Sequence, residues 1–211
     1  MTNQMKTLSE EKDRNKKGVK MKLGRIEKWF MNTQKHAEHV VNRAQKLLEY
    51  VELKENQDFL EIGCGSGAVS KYIAEKYRLN VTGVDVDPEQ IEFAKKNNSN
   101  ACFLEADATH LAFEDNSFDI VLSFGVMHHI YNWLDAMEEI KRVLRPKGYF
   151  IYMDLVYHEL TAKIGRAVSR NYGITTMKDL NSFIEKSNFS IIHESLSKSL
   201  LWNEYEAVYQ K

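Results

Sequence analysis

Helical and strand-like patterns of apolar residues alternate along the chain from about residue 31 onward. A helical stripe covers residues 33–51, and further helical stripes begin near residues 68, 88, 132 and 176. Short apolar runs between and after them have the length of buried strands. The predicted strands are 58–62, 80–85, 101–105, 118–123, 149–155, 190–194 and about 202–209.

Strands separated by helices predict a parallel sheet that is covered on both faces. The last two strands are an exception, because residues 195–201 are too short a connection for a parallel pair. We therefore expect an α/β fold, a doubly wound open sheet of about seven strands with one reversed strand near an edge. Ligands of such sheets bind at the carboxyl ends of the strands, where the strand order reverses.

Turn residues place several helix boundaries. Asp87 and Pro88 predict a helix start, with Gln90 placed to complete a capping box. Pro146 and Gly148 end the helix over residues 132–144. Thr176 with Asp179 caps a later helix that runs to about residue 186.

Composition excludes several classes of protein. The chain has 211 residues, 29 Lys and Arg against 30 Asp and Glu, and two cysteines. The overall charge is too small to attract nucleic acid, and two cysteines are too few for a disulfide scaffold. Residues 1–28 nevertheless carry nine basic and four acidic residues. We expect a basic, partly mobile arm at 1–30 and a single domain at 31–211, with a small lid insertion at about 156–173.

No apolar run reaches the length of a membrane helix or of a signal peptide, so a cytoplasmic protein without a membrane partner is expected. The sequence specifies no oligomeric state.

The strongest candidate site is a glycine loop between the first strand and the following helix. Gly63, Cys64, Gly65 and Gly67 follow Glu61, and glycines there allow a tight turn and a close approach of a ligand to the backbone. Asp85 ends the second strand, 18 residues beyond Gly67, where a carboxylate can accept hydrogen bonds from a ribose diol.

Further groups follow the third strand. The Asp107 carboxylate can accept a hydrogen bond from an exocyclic amine, and the N–H of Ala108 can pair with a ring nitrogen; the alternative for Asp107 is a loop cap. Glu61, Asp85 and Asp107 would together repel a pyrophosphate, and the loop has no lysine or arginine. A cationic nucleoside fits better.

These motifs resemble the class I S-adenosylmethionine-dependent methyltransferases, of the small type 11 kind. The matching blocks, in order, are residues 58–67, 81–87, 107–108, 118–123 and 144–148. The resemblance implies S-adenosyl-L-methionine as the cofactor and S-adenosyl-L-homocysteine as the product. It also implies the strand order 3-2-1-4-5-7-6, with strand 7 antiparallel.

The resemblance assigns roles to individual residues. The glycine loop would wrap the methionine moiety, Asp85 would hold the ribose, Val86 would pack on adenine and Asp107 would face adenine. A backbone carbonyl near Ser123 or Phe124 would meet the methionine amine.

The acceptor should lie beyond the fourth strand. His128 is the candidate general base there because imidazole titrates near neutrality, and His129 is a weaker candidate. Two adjacent histidines do not make a metal motif, and no metal site is expected. Acceptor selection is expected from Trp29, Phe30 and Met31 and from residues 156–173.

Several functions remain open at this stage. A methyltransferase with a small-molecule acceptor is favoured, and an RNA or protein methyltransferase on the same fold is an alternative. A non-catalytic S-adenosylmethionine-binding module and an NAD-dependent oxidoreductase also fit the glycine loop. The sequence does not specify the acceptor atom.

Overall fold

The computed structural model describes residues 32–168, 172–199 and 202–211. The predicted basic arm, together with Trp29, Phe30 and Met31, lies outside these residues, as does Arg170 of the lid insertion. The division into an arm and one domain therefore stays a prediction.

A seven-stranded sheet in the order β3-β2-β1-β4-β5-β7-β6 forms the centre of the fold. Its strands are β1 Asp58–Ile62, β2 Asn80–Asp85, β3 Cys102–Glu105, β4 Phe118–Phe124, β5 Leu144–Tyr157, β6 Ser190–Ser197 and β7 Trp202–Gln210. The pairs from β3 to β5 are parallel. β7 is antiparallel to both of its neighbours. The predicted strand order and reversed strand are confirmed.

Six α-helices are described in these residues. They are α1 Gln34–Leu48, α2 Ala68–Tyr77, α3 Pro88–Asn97, α4 Trp133–Val143, α5 Glu159–Val168 and α6 Met177–Ser187. A short 3-10 turn, Met127–His129, follows β4. No helix among the described residues combines the length and apolar character needed to cross a membrane.

The helix caps follow the sequence in two of three respects. The Thr176 and Asp179 capping box is complete in the structure. Asp87 caps α3 by accepting from the N–H of Glu89 at 3.0 Å. The expected contribution of Gln90 is wrong: its Oε1 is buried without a hydrogen-bonding partner among the described residues. Gln90 faces the core at 2% exposure, so its side chain turns inward and away from the helix start.

Each face of the sheet has its own apolar core. One face packs Leu60, Val121 and Phe150 against residues of α4 and α6. The other face packs Phe59 and Ile120 against residues of α1 and α2. Neighbouring residues of one strand thus enter opposite cores, as the pleat requires. Both faces being covered explains why the central strands β1 and β4 are buried along almost their whole length.

β5 is longer than predicted and begins directly after α4. Leu144 pairs with Phe118, and the register then shifts before Tyr149 pairs with Ile120. Pro146 and Gly148 therefore lie within an irregular stretch of the strand, where the sequence predicted only a helix stop. At the amino end of the sheet, Arg145 makes ion pairs with Asp58 and Asp119.

Candidate active site

The strand order reverses between β1 and β4, and the glycine loop leaves β1 at this point. Gly63, Gly65 and Gly67 all have positive φ angles, of 68°, 49° and 75°. A side chain on Gly63 would place its Cβ 2.3 Å from Cγ2 of Val126, in the segment after β4. The loop thus requires glycine for both its backbone conformation and its packing.

Asp85 fixes the glycine loop against the end of β2. The N–H of Gly65 donates to its Oδ2 and the N–H of Asp87 to its Oδ1, both at 2.9 Å. Burial raises the pKa of Asp85, and the backbone N–H groups of Asp87, Gly65 and Val86 oppose that rise. A carboxylate has about four acceptor positions, so Asp85 can accept from further donors.

Glu61 is a buried acid beneath the loop, at 5% exposure. It accepts hydrogen bonds from the N–H and hydroxyl of Ser70 in α2. Burial raises the pKa of Glu61 to about 7, with the charge of Asp85 adding to the rise. Burial also raises the pKa of the Cys64 thiol well above its usual range. Cys64 is therefore a packing residue and not a thiolate nucleophile.

The groups predicted to face adenine lie at the same edge of the sheet. Val86 is half-buried directly after β2, and Ala108 is buried after β3. Asp107 is exposed, and its Oδ1 accepts from the N–H and hydroxyl of Thr109 at 2.9 and 2.8 Å. One oxygen of Asp107 thus caps its own loop, as the alternative interpretation expected.

Ser123 and Phe124 end β4 beside the glycine loop. Ser123 pairs with Ile62 of β1 and with Tyr152 of β5. Its Oγ is buried and has no hydrogen-bonding partner within the part of the chain that the structure describes. Strand β4 thus brings an unpaired hydroxyl and the end of its backbone to the point where the strand order reverses.

His128 lies on the 3-10 turn after β4 and is paired with an acid that the sequence analysis missed. Its Nδ1 is 2.6 Å from Oδ1 of Asp154, in β5. The ring of His129 lies beside that of His128, with centroids 3.9 Å apart. The signal for Asp154 was a single charged residue inside the apolar run of the fifth strand.

The predicted lid insertion, residues 156–173, contains α5 and a segment that packs on the histidine turn. The N–H of Gly173 donates to the carbonyl of His128 at 3.0 Å. A Cβ on Gly173 would lie 2.0 Å from the carbonyl oxygen of Met127, so only glycine fits this approach. Arg166 of α5 donates to the carbonyl of Ile174 and pairs with Asp179.

Comparison with known proteins agrees with the fold and with the order of these motifs. Residues 60–152 match a family model described as a methyltransferase domain. The PH0226 protein of Pyrococcus horikoshii has the same fold, with a TM-score of 0.67 and 24% identity over 85% of this chain and 92% of that one. The two proteins share a Rossmann-like, doubly wound sheet.

Two curated relatives are similar over the same region. The sterol 4-C-methyltransferase strm-1 of Caenorhabditis elegans is 38% identical over 116 residues, 52% of this chain and 34% of that protein. The fatty-acid O-methyltransferase of Mycolicibacterium smegmatis is 38% identical over 104 residues, 47% of this chain and 38% of that protein. Residues 60–152 of this chain therefore match a methyltransferase domain, and the alignments span about a third of those relatives.

The residues of the site fit the cofactor that this family implies. The left-handed glycines leave a cradle without side chains, and Asp85 places an acidic group beside it. Residues 61–68 contain no lysine or arginine that would favour a pyrophosphate. The donor set therefore suits a cationic nucleoside with a ribose diol.

Proposed function

We propose that the protein transfers a methyl group from S-adenosyl-L-methionine to a small acceptor with a largely apolar body. The observation that carries the proposal is the glycine cradle held against Asp85 at the reversal of strand order. When bound there, the cofactor supplies an electrophilic methyl group on a positively charged sulfur.

The residues of the chain would bind the cofactor and align it with the acceptor. Asp85 would accept from the ribose hydroxyls with the acceptor positions that Gly65 and Asp87 leave. Val86, Asp107 and Ala108 would surround the adenine. The remaining loop residues, Glu61, Gly63, Cys64 and Gly67, would enclose the methionine moiety together with Ser123 and Phe124. Holding donor and acceptor in line supplies much of the rate in a displacement of this kind.

The apolar character of the acceptor is inferred from the lid. Leu160, Ile164 and Val168 recur every four residues along α5 and are 72%, 59% and 84% exposed. An exposed apolar stripe of this kind is a common feature of binding surfaces. Helix α5 follows the carboxyl end of β5, and Gly173, a few residues further along the chain, contacts the histidine turn. The names of the two curated relatives, which refer to a sterol and a fatty acid, agree with an apolar acceptor.

Calorimetry tests the cofactor. We expect S-adenosyl-L-methionine and S-adenosyl-L-homocysteine to bind and NAD not to bind. Binding of NAD alone would favour the oxidoreductase and would contradict the proposal.

Transfer of a labelled methyl group tests the reaction, using a panel that contains fatty acids, sterols, alkylphenols, RNA and protein extract. Transfer to an apolar small molecule supports the proposal. Transfer to RNA, weakened by salt and by deletion of residues 1–24, would favour the RNA methyltransferase. Cofactor binding without transfer to any fraction would favour the non-catalytic module. Fractionation of the source cells tests the expected cytoplasmic location.

A further inference from the structure

We propose that Asp154 is a positioning residue that holds His128 with its proton on Nδ1, so that Nε2 takes a proton from a hydroxyl group of the acceptor. The inference rests on the proposed methyl transfer and deepens it. It adds a residue that the sequence did not single out, and it names the acceptor group.

Asp154 is surrounded by hydrogen-bond donors. Its side chain has no exposed surface. The N–H of Met127 donates to Oδ2, and the N–H of Leu155 and Nδ1 of His128 approach Oδ1, all at 2.6 Å. Two backbone donors stabilise the charged form of a carboxyl group. Carboxylate oxygens accept hydrogen bonds, so we assign the proton of the third contact to Nδ1 of His128.

The ring of His128 reaches from this buried acid toward the surface. The histidine side chain is 18% exposed, whereas that of Asp154 is fully buried. Asp154 occupies Nδ1, so Nε2 is the ring nitrogen that we assign to the acceptor. Cε1 lies 3.8 Å from the position that a Cβ on Gly125 would occupy, at the carboxyl end of β4. This is the strand end that meets the glycine cradle.

The supporting contacts give the pair a fixed geometry. Met127, which begins the histidine turn, is fully buried. Gly173 of the lid segment holds the turn from the other side through the carbonyl of His128. The titratable groups that face the pair are His129, Tyr152 and Tyr157. The pKa values of the two tyrosines are raised by burial and by the charge of Asp154.

The proton and electron balance of the step is complete. An oxygen lone pair of the acceptor forms the new O–CH₃ bond as the S–CH₃ bond breaks. The electron pair of the broken S–CH₃ bond stays on sulfur. The hydroxyl proton moves to Nε2 of His128, and the resulting imidazolium is stabilised by Asp154. The imidazolium then releases the proton to solvent.

A base in this position favours one kind of acceptor. A carboxylic acid is already ionised at neutral pH, so imidazole would have no proton to remove. An amine can lose its proton to solvent before it binds. A hydroxyl group loses its proton only as the new bond forms, and it therefore benefits from an adjacent base.

The tautomer of His128 is measured directly by nitrogen NMR on the cofactor-free protein with ¹⁵N-labelled histidine. The signals of His128 are assigned among the seven histidines by their loss in His128→Gln. We expect the Nδ1–H form in the wild type and a shift toward the Nε2–H form in Asp154→Asn, because the new amide can donate to Nδ1. Asp119→Asn, the same change at the opposite end of the sheet, should leave the tautomer unchanged. An Nε2–H form in the wild type, or no change in Asp154→Asn, would overturn the proposal.

The acceptor group is tested with 4-nonylphenol and palmitic acid as probes and labelled S-adenosyl-L-methionine. We expect transfer to the phenol to fall by roughly 10²–10⁴-fold in His128→Gln, the range for general bases. Asp154→Asn should lower the rate in the same direction, and the double variant should be no worse than His128→Gln, because the two residues act as a unit. Absence of transfer to the phenol, or equal rates in wild type and His128→Gln, would overturn the assignment.

Calorimetry with the cofactor separates this proposal from the proposed function. His128→Gln should bind S-adenosyl-L-methionine as the wild type does. If the wild type itself does not bind the cofactor, the proposed function fails. If it binds and transfers methyl groups to palmitate independently of His128, only the dyad fails.

Discussion

Glu61 gives the fold a dependence on pH that a single substitution should remove. The carboxyl is 5% exposed, its pKa is raised to about 7 from an ordinary value of 4.5, and burial is the main cause. The folded protein therefore holds this proton over a pH range in which the unfolded chain has released it. The stabilising contribution is complete below pH 4.5 and is lost as the pH rises through 7.

The size of the effect follows from linkage. Each unit of pKa shift corresponds to about 1.4 kcal/mol, so the shift of Glu61 is equivalent to about 3 kcal/mol, most of it lost between pH 5 and 7. Glu61→Gln keeps a neutral side chain at every pH. Its amide oxygen can accept from the N–H of Ser70, and its NH₂ group can donate to the Ser70 hydroxyl. The free energy of unfolding of the variant should therefore lack this component.

Urea denaturation from pH 5 to 8.5, followed by the fluorescence of buried Trp133, measures the difference between the two proteins. The other groups titrate in both, so the difference isolates Glu61. We expect the free energy of unfolding of Glu61→Gln to increase relative to that of the wild type as the pH rises. A difference that changes by less than about 0.5 kcal/mol would refute the assignment of a buried, neutral carboxyl.

Glu139→Gln is the matched control, because Arg142 lowers the pKa of Glu139. The contribution of Glu139 to the free energy of unfolding depends on pH in the opposite way. It is present above the ordinary pKa of a glutamate and is lost as the pH falls through the lowered pKa of the folded state. The difference in the free energy of unfolding between the wild type and Glu139→Gln should therefore change at acidic pH and stay constant between pH 6 and 8.

Three further substitutions test separate parts of the structure. Asp85→Ala should weaken cofactor binding by roughly 10- to 100-fold in calorimetry, the equivalent of hydrogen bonds to a charged group, with an unchanged circular dichroism spectrum; unchanged affinity would contradict the ribose assignment. Gly173→Ala should lower the melting temperature, because its Cβ would lie 2.0 Å from the carbonyl oxygen of Met127; an unchanged melting temperature would count against this packing. Met137→Ala should lower the free energy of unfolding in urea by about 2–5 kcal/mol through a cavity in the core. Its cofactor affinity should stay that of the wild type, and a large loss of affinity would contradict a purely structural role.

The order of the strands was predictable because local patterns and one geometric constraint agree. The short connection at 195–201 excludes a parallel closing pair, and the glycine loop and Asp85 place the site at adjacent strand ends. The structure brings Gly65 and Asp85 into direct contact, as this argument requires. Glu61 could be named from its position, but its raised pKa depends on burial that no local pattern reveals.

The parts that escaped prediction depend on tertiary contacts. Asp154 stands alone in an apolar strand, and its partner His128 lies 26 positions earlier in the chain. Helix α5 has an apolar stripe with the spacing of a helix that packs on a core, but the stripe is exposed in the structure. The sequence pattern alone does not distinguish these two cases. Gln90 matched the spacing of a capping box, and burial of its side chain overrode the local preference.

The position of β7 has a consequence for synthesis of the chain. β7 lies between β5 and β6, although it follows both in sequence. A nascent chain that has been translated only as far as Ser197 has no partner strand for β6 and an open edge on β5. Ile191, Ile192 and Leu196 would then add apolar surface to an unpaired strand, a combination that promotes aggregation. A chain truncated after Ser197 should therefore give a lower yield of folded protein than the full-length chain.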